Sequence, residues 1–478
     1  MKTTPLTPLA LTLLAVGLHS APAMAQSNAE LLKELQSLKA RMQQLENQLS
    51  ALPAPPAAVD PEEFNRIRAK VEATEDNTET LGFKGLKVSG MIDPTYVYNQ
   101  RQNTSGFVFL NNFDGRGNSN GGQAKDSFAY DNSYFGMAVL DLQKETESAQ
   151  KWRLTLAPHK SASSGYNLGS IVHEASVSLP IDGPNTRLIA GQIPDWTGYE
   201  YFFSNLQPLI SHNLLFDFTI PSFYSGAGME ITRGKWISKF VLGNINQARR
   251  NDYDSANLTG YSKSPGLSFR ADYAKGEFNG FGFAGSHTTG RDSKVTQGEV
   301  DGYFIRGDLS LQGQMGVGQA ENLASNLGGD GKALKAQWTA LSGLLGYKVT
   351  PRLQLVARGD YIWNSRHGGG LWGAYGTYDD KGAYAPDGRN GVGLPMVYNG
   401  SAWTPDGDQG VNRYALSLGL NYLISASHTP NSGLWNTGTW FKTELRYDGA
   451  TGRVFQDVRD GSYKKNNLML ATSLVFAF

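Results

Sequence analysis

The chain of 478 residues predicts an all-β transmembrane barrel of about sixteen antiparallel up-and-down strands, preceded by an N-terminal α-helical coiled-coil segment. Three observations carry this. From Leu86 onward, β-like runs are joined by connections that alternate long and short. The runs pair an apolar face with a face that carries charge at alternate positions. The final stretch, Asn467 to Phe478, puts Leu468, Leu470, Thr472, Leu474, Phe476 and Phe478 on one side, and Met469, Ala471, Ser473, Val475 and Ala477 on the other.

Composition narrows the classes. Hydrophobic residues make up 40% of the chain, and no apolar run after the leader approaches the roughly 20 residues that a membrane helix needs. A helical membrane protein is excluded, whereas a barrel is not, because its polar lumen face offsets its lipid face. The 56 glycines, 22 tyrosines and 22 phenylalanines favour strands and wide loops. Cysteine is absent, which removes disulfides, thiol catalysis and cysteine metal sites. Basic and acidic residues balance at 43 each, so there is no basic field for nucleic acid.

In chain order, residues 1–25 read as a secretory leader, with Lys2, an apolar core from Leu9 to Leu18, and Ala23-Met24-Ala25 as the cleavage site. Residues 26–52 carry a heptad seam of Leu31, Leu35, Leu38, Met42, Leu45, Leu49 and Leu52. About three heptads are marginal alone and call for partners; a single amphipathic helix lying on its own domain is the other reading. Residues 53–85 form a Pro-rich linker and a short helix, capped by Asp60 with Pro61 in its first turn.

The barrel is assigned to 86–478, with strands near 86–99, 132–144, 151–157, 172–180, 186–193, 223–232, 236–244, 266–273, 277–286, 300–311, 314–318, 335–349, 352–364, 413–423, 440–448 and 467–478. Long connections follow mostly odd-numbered strands. Tight ones, such as Arg233-Gly234-Lys235 and Thr350-Pro351, follow mostly even-numbered strands. Outward candidates include Leu267 and Phe269, Tyr303 with Ile305, Gly307, Leu309 and Leu311, Leu355 with Ala357, Gly359, Tyr361 and Trp363, and Leu416 with Leu418. The opposite faces carry Arg270 with Asp272, Arg306 with Asp308, Arg358 with Asp360, and Glu444 with Arg446; Arg413 joins them. A charge facing lipid at mid-depth costs about 2–4 kcal/mol, so these nine are expected to line a hydrated lumen, either as selectivity groups or as ladders that hold the wall.

These patterns resemble bacterial outer-membrane porins. The closing strand, with Leu474, Phe476 and a final Phe478, resembles the signal by which the barrel-assembly machinery of Gram-negative bacteria recognises such strands. Heptads followed by a barrel are similar in layout to phosphate-selective and sugar-specific porins. Val88 to Asp93 with Tyr96, Ala190-Gly191-Gln192 to Glu200, and Leu355 to Tyr361 resemble the β-barrel porins related to OmpL. The resemblance implies an outer-membrane location, contact with outer-membrane lipid, periplasmic helices and a homotrimer. It also implies that the third long connection, 194–222, folds inward, which makes Trp196, Tyr199, Glu200, Tyr201, Phe202, Phe203 and His212 constriction candidates. Packing of that loop on the outer rim is the other reading.

Catalytic and metal motifs are unconvincing. His367 to Gly370 and Gly117 to Gly121 match esterase strings, but in the wrong order and without a strand-to-helix elbow. Asp406 to Gly410 lacks the later bidentate Glu of a Ca²⁺ loop, and the seven histidines show no ligand spacing. No enzyme activity, metal or cofactor is expected. The expected function is passive diffusion of small hydrophilic solutes or ions, with weak, slightly anionic selectivity. A non-conducting scaffold or adhesin barrel and a secreted β enzyme are the rivals.

Overall fold

The computed structural model describes residues 84–478 apart from 111–134, 159–170, 246–264, 289–293, 322–334, 367–375, 379–383, 387–392, 427–436 and a few shorter gaps. Upstream it describes only Lys39, Gln43, Arg66, Arg68, Ala69 and Lys70, all helical. The leader, the heptad seam from Leu31 to Leu52 and the Pro-rich run therefore lie outside the described residues, as do Gly117 to Gly121 and His367 to Gly370. The chain divides into two units, Met1–Leu81 and Gly82–Phe478.

The second unit is a closed antiparallel barrel with sixteen strand positions. Strand β1 runs in two segments, Leu86–Ile92 and Thr95–Asn99, followed by β2 (Ala138–Glu145), β3 (Lys151–Leu156), β4 (Val172–Pro180) and β5 (Thr186–Pro194). Next come β6 (Phe223–Arg233), β7 (Trp236–Ile245), β8 (Gly266–Gly276), β9 (Asn279–His287), β10 (Lys294–Arg306) and β11 (Leu309–Glu321). The last five are β12 (Ala336–Thr350), β13 (Leu353–Arg366), β14 (Arg413–Ala426), β15 (Gly438–Ala450) and β16 (Asn466–Ala477). Each strand pairs with the next, and β1 closes the ring by pairing with both β2 and β16. Pro94 interrupts β1. Above it, Thr95–Asn99 pairs on its other edge with a short strand, Thr104–Val108, in place of β2.

The two faces separate by chemistry. On β16, Met469, Ala471, Ser473 and Val475 are buried inside, while Leu470, Phe476 and Phe478 are exposed outside. On β14, Leu416 and Leu418 are about 60% exposed, the mark of a lipid-facing band, because water would disfavour so much apolar area on one belt. Aromatic rows flank this band. Trp236, Tyr273 and Phe281 cluster at the tight-turn rim, and Tyr361, Trp363, Tyr414 and Tyr447 at the long-loop rim.

The structure corrects one strand. The predicted run 300–311 is cut by a two-residue turn at Gly307 and Asp308, and 314–318 is the middle of β11. Gly307 sits at φ +58°, the left-handed geometry a tight hairpin requires and glycine supplies without strain. The turn changes the phase of the alternation. Tyr303 and Ile305 share the inner face with Asp301, while Leu309 and Leu311 face outward. Arg306 and Asp308 are exposed at the turn rim and do not line the lumen.

Candidate functional site

The connection from β5 to β6 enters the barrel. Its described residues carry a 3₁₀ turn, Ser204–Leu206, and a short helix, α1 (Leu214–Phe218). Asn213 caps α1 by accepting from the Phe216 amide at 2.7 Å, and its own amide donates to Glu200 Oε2 at 2.6 Å. Leu214, Leu215, Phe216 and Phe218 are all buried, which an isolated five-residue helix in water could not sustain. Phe216 belongs to an apolar cluster with Met91, Val97, Val139 and Met469, on β1, β2 and β16. Leu214, Leu215 and Phe218 belong to another with Val295, Trp338, Ala340 and Ile362, on β10, β12 and β13. The helix therefore bridges two different sectors of the wall.

Polar contacts fix the rest of the loop. Four alternate residues of β15, Lys442, Glu444, Arg446 and Asp448, point inward with alternating sign. Lys442 donates to the carbonyls of Ser204 and Gln207. Glu444 accepts from the Ile210 and Ser211 amides at 2.8 and 2.7 Å and from Ser211 Oγ at 2.6 Å. Arg446 donates to the His212 carbonyl and to Ser211 Oγ, and is held by Asp448. From β13, Arg358 donates to Glu200 at 2.9 Å and to the Ser211 and His212 carbonyls at 2.7 and 2.8 Å, with Asp360 behind it at 3.2 Å. Arg270 on β8 donates to the Trp196 carbonyl at 2.9 Å and pairs with Asp272 and Asp301. Glu299 on β10 accepts from the Gly198 amide, Tyr199 Oη meets Ser342 on β12 at 2.6 Å, and Ser204 donates to Asp93, at the break in β1, at 2.6 Å.

Most of these bonds reach backbone groups of the loop and involve a charged partner. Such bonds contribute roughly 1.5–3 kcal/mol each, and a buried charge deprived of its partner costs more than that.

Of the constriction candidates, Trp196, Tyr199, Glu200, Phe202, Phe203 and His212 lie inside the barrel against its wall, while Tyr201 is 49% exposed. Phe202 and Phe203 pack against His173 of β4 at 5.1 and 5.0 Å. Burial pushes the Glu200 carboxyl up to about 7, with Arg358 and the Asn213 amide pulling the other way. Burial drives His212 down to about 3, so it is neutral and donates Nε2–H to the Tyr201 carbonyl at 2.7 Å.

The charged residues assigned to the lumen from sequence divide into three groups. Arg358, Asp360, Glu444 and Arg446 face inward but are sealed beneath the loop, and Arg413 is sealed between the loop and the outer cluster, with at most 1% of each side chain exposed. Arg270 and Asp272 face inward, and Asp272 remains one-third exposed. Arg306 and Asp308 sit at the turn between β10 and β11. Sequence reasoning overlooked Lys442 and Asp448, although the Lys-x-Glu-x-Arg-x-Asp alternation extends the pattern already seen in Glu444 and Arg446. It also missed Glu299 with Asp301, and the cross-strand pair Glu230 and Lys239.

Above the loop, Arg413 lies between the Phe218 ring at 4.7 Å and the Phe455 ring at 5.3 Å while donating to Asp448 at 3.0 Å. Phe455 belongs to a small outer cluster with Val411, Ala450 and Val454. Near it, Trp403 packs with Tyr398 and Tyr463, with Arg453 5.7 Å from the Trp403 ring.

Fold and site together define a membrane-type β-barrel whose lumen holds an internal loop. The chain belongs to a family described as a protein of unknown function (DUF3138), whose model matches residues 58–297. No curated protein matches the sequence. Among solved structures, OmpT, an outer membrane protein of Vibrio cholerae, is 10% identical with a TM-score of 0.44, covering 82% of this chain and 97% of its own. An anion-selective porin from Comamonas acidovorans is 8% identical with a TM-score of 0.48, covering 82% and 99%. The outer membrane channel DcaP of Acinetobacter baumannii is 10% identical with a TM-score of 0.43, covering 82% and 97%.

Proposed function

We propose that the protein is an outer-membrane porin, a passive diffusion channel for small hydrophilic solutes or ions, narrowed by the loop between β5 and β6. The observation that carries this reading is the pairing of an apolar outer belt with an inner wall whose ion pairs stay in contact with water. Lys239 and Glu230, 3.1 Å apart, keep about 30% of their side-chain surface, and Arg153, beside Asp141 and Glu174, keeps 25%. A barrel built only as an anchor has no need of hydrated charge on its inside, since the same wall is more readily packed with apolar residues. A homotrimer with periplasmic helices belongs to the same reading, since three heptads need partners. Recognition of β16 by the assembly machinery belongs to it as well.

A second reading, a non-conducting barrel that serves as scaffold or adhesin through its long loops, is favoured by the apolar helix α1 bridging two sectors of the wall. Single-channel recording in planar bilayers separates the two. Discrete conductance steps from heat-modifiable, folded protein are expected, and silence from such protein would transfer the function to the outer loops.

A further inference from the structure

We infer that Tyr201 alone among the loop's residues sets the aperture of the channel, its ring standing opposite the cluster of Arg270, Asp272 and Asp301 on β8 and β10. The inference rests on the channel reading and narrows the seven constriction candidates to one. The other six are engaged in seating the loop. Glu200 is bound by Arg358 and the Asn213 amide, and Tyr199 by Ser342. Phe202 and Phe203 pack on the His173 ring, His212 stacks on Phe216 at 4.0 Å, and Trp196 packs on Tyr224 at 4.7 Å. Among the described residues of 195–221, Tyr201 is the one that is exposed, at 49%, and all others are buried or half-buried.

The backbone beneath this ring is pinned on both sides. His212 donates Nε2–H to the Tyr201 carbonyl at 2.7 Å, Glu200 before it is held by Arg358 at 2.9 Å, and Phe202 after it packs edge-on to Phe216 at 5.1 Å. A ring raised on a fixed base narrows a passage by a fixed amount. The wall opposite is fixed as well, and low. Arg270, Asp272, Asp301 and Tyr303 are close enough to act electrostatically on the Tyr201 phenol. Gly282 on β9 stands between Asp272 and Asp301 in the register, and a Cβ there would lie 2.5 Å from Asp272 Oδ1 and 2.7 Å from Arg270 Nη2. The missing side chain lets the Arg270 guanidinium lie across β9 and reach both carboxylates at 2.7 Å. Asp272 keeps one-third of its side chain in contact with water. A solute passing here meets an aromatic ring on the loop and a flat, ion-paired wall, so the ring limits its size.

The test is single-channel conductance of the full-length protein in planar bilayers, with the variants Tyr201→Ala, Tyr201→Trp and Tyr201→Cys. Y201A is expected to raise conductance by about half and Y201W to lower it by about a third, because flow through a narrow hydrated passage follows its free cross-section. Liposome swelling should shift the same way, with Y201A admitting larger neutral sugars than wild type does. The chain has no cysteine, so Y201C carries a single thiol. A bulky methanethiosulfonate should lower the conductance of Y201C channels already inserted, and dithiothreitol should restore it, while wild type does not respond to the reagent. That readout is taken on folded channels, so a folding defect of the variant cannot produce it. Open channels whose conductance is unchanged in Y201A and on modification of Y201C would overturn the inference while leaving the porin reading intact. Silence of folded wild-type protein would instead bring down the porin reading and the inference with it.

Discussion

The ring of Phe478 lies over Gly90, at the place a side chain would start: a Cβ built on Gly90 would stand 2.9 Å from Phe478 Cζ and 2.7 Å from the Val139 carbonyl. The two residues also exchange backbone hydrogen bonds, Gly90 N to Phe478 O at 3.1 Å and Phe478 N to Gly90 O at 3.0 Å. The first and last strands of the barrel are thus joined where only a glycine fits. Gly90→Val is expected to weaken closure by about 1–3 kcal/mol, the usual range for overpacking. A lower temperature for the heat-induced mobility shift on gels would report it, with Phe478→Ala, which removes the ring but not the bonds, giving a smaller change.

Glu444 accepts three hydrogen bonds from Ile210 and Ser211. Glu444→Leu leaves those donors unpaired in a buried site, at a cost of about 3–5 kcal/mol to the seated loop. Limited proteolysis should then cut between 195 and 222 in the variant under conditions that spare wild type. Resistance equal to wild type would show that the apolar clusters alone seat the loop.

Seating of the loop should also depend on pH through Glu200. Its carboxyl is raised from 4.5 to about 7 by burial, so the folded site binds a proton more tightly than the unfolded chain does. Its contribution is therefore fully present below pH 4.5 and is lost as pH rises through 7. Arg358, Asp360 and Asp217 act on the same group and set where the transition falls. Resistance of the loop to protease should fall across this window in wild type and stay flat in Glu200→Gln.

Arg413 touches the internal loop through Phe218 and the outer cluster through Phe455. Arg413→Leu should remove a cation–π contact worth about 2 kcal/mol on each desolvated ring. Hydrogen exchange is then expected to rise together at 214–218 and 453–456. A rise confined to one of the two would mean that the arginine does not couple them.

The lipid belt offers a simpler check. Leu418→Arg, on the most exposed aliphatic stretch of β14, should destabilise the folded barrel in bilayers by about 2–4 kcal/mol if it lies near the midplane. Unfolding titrations in lipid vesicles measure this.

Much of the barrel wall was legible because alternation reports a face without any knowledge of neighbours. The outward sets on β8, β13, β14 and β16 come from period two alone. Arg306-Gly307-Asp308 defeated the same logic: a glycine inside a run looks like any small residue until its φ is known, and a turn there reverses the phase of the next strand. The inward direction of Arg358 and Arg446 was legible, but not their burial, which depends on where Ser211 and His212 fold nearly 150 residues earlier in the chain or more. Alternation says which way a side chain points and nothing about what meets it there.

Lys442, Glu444, Arg446 and Arg358 hold the internal loop largely by its peptide groups, which every sequence possesses, and among these four cradle residues its own side chains enter only through Ser211 and Glu200. The polar cradle thus reads little of the loop's sequence, and the apolar side chains of α1 set its seat in the wall clusters instead. Tyr201 stands outside both sets of contacts, so a change there alters the face the loop presents while the cradle stays as it is.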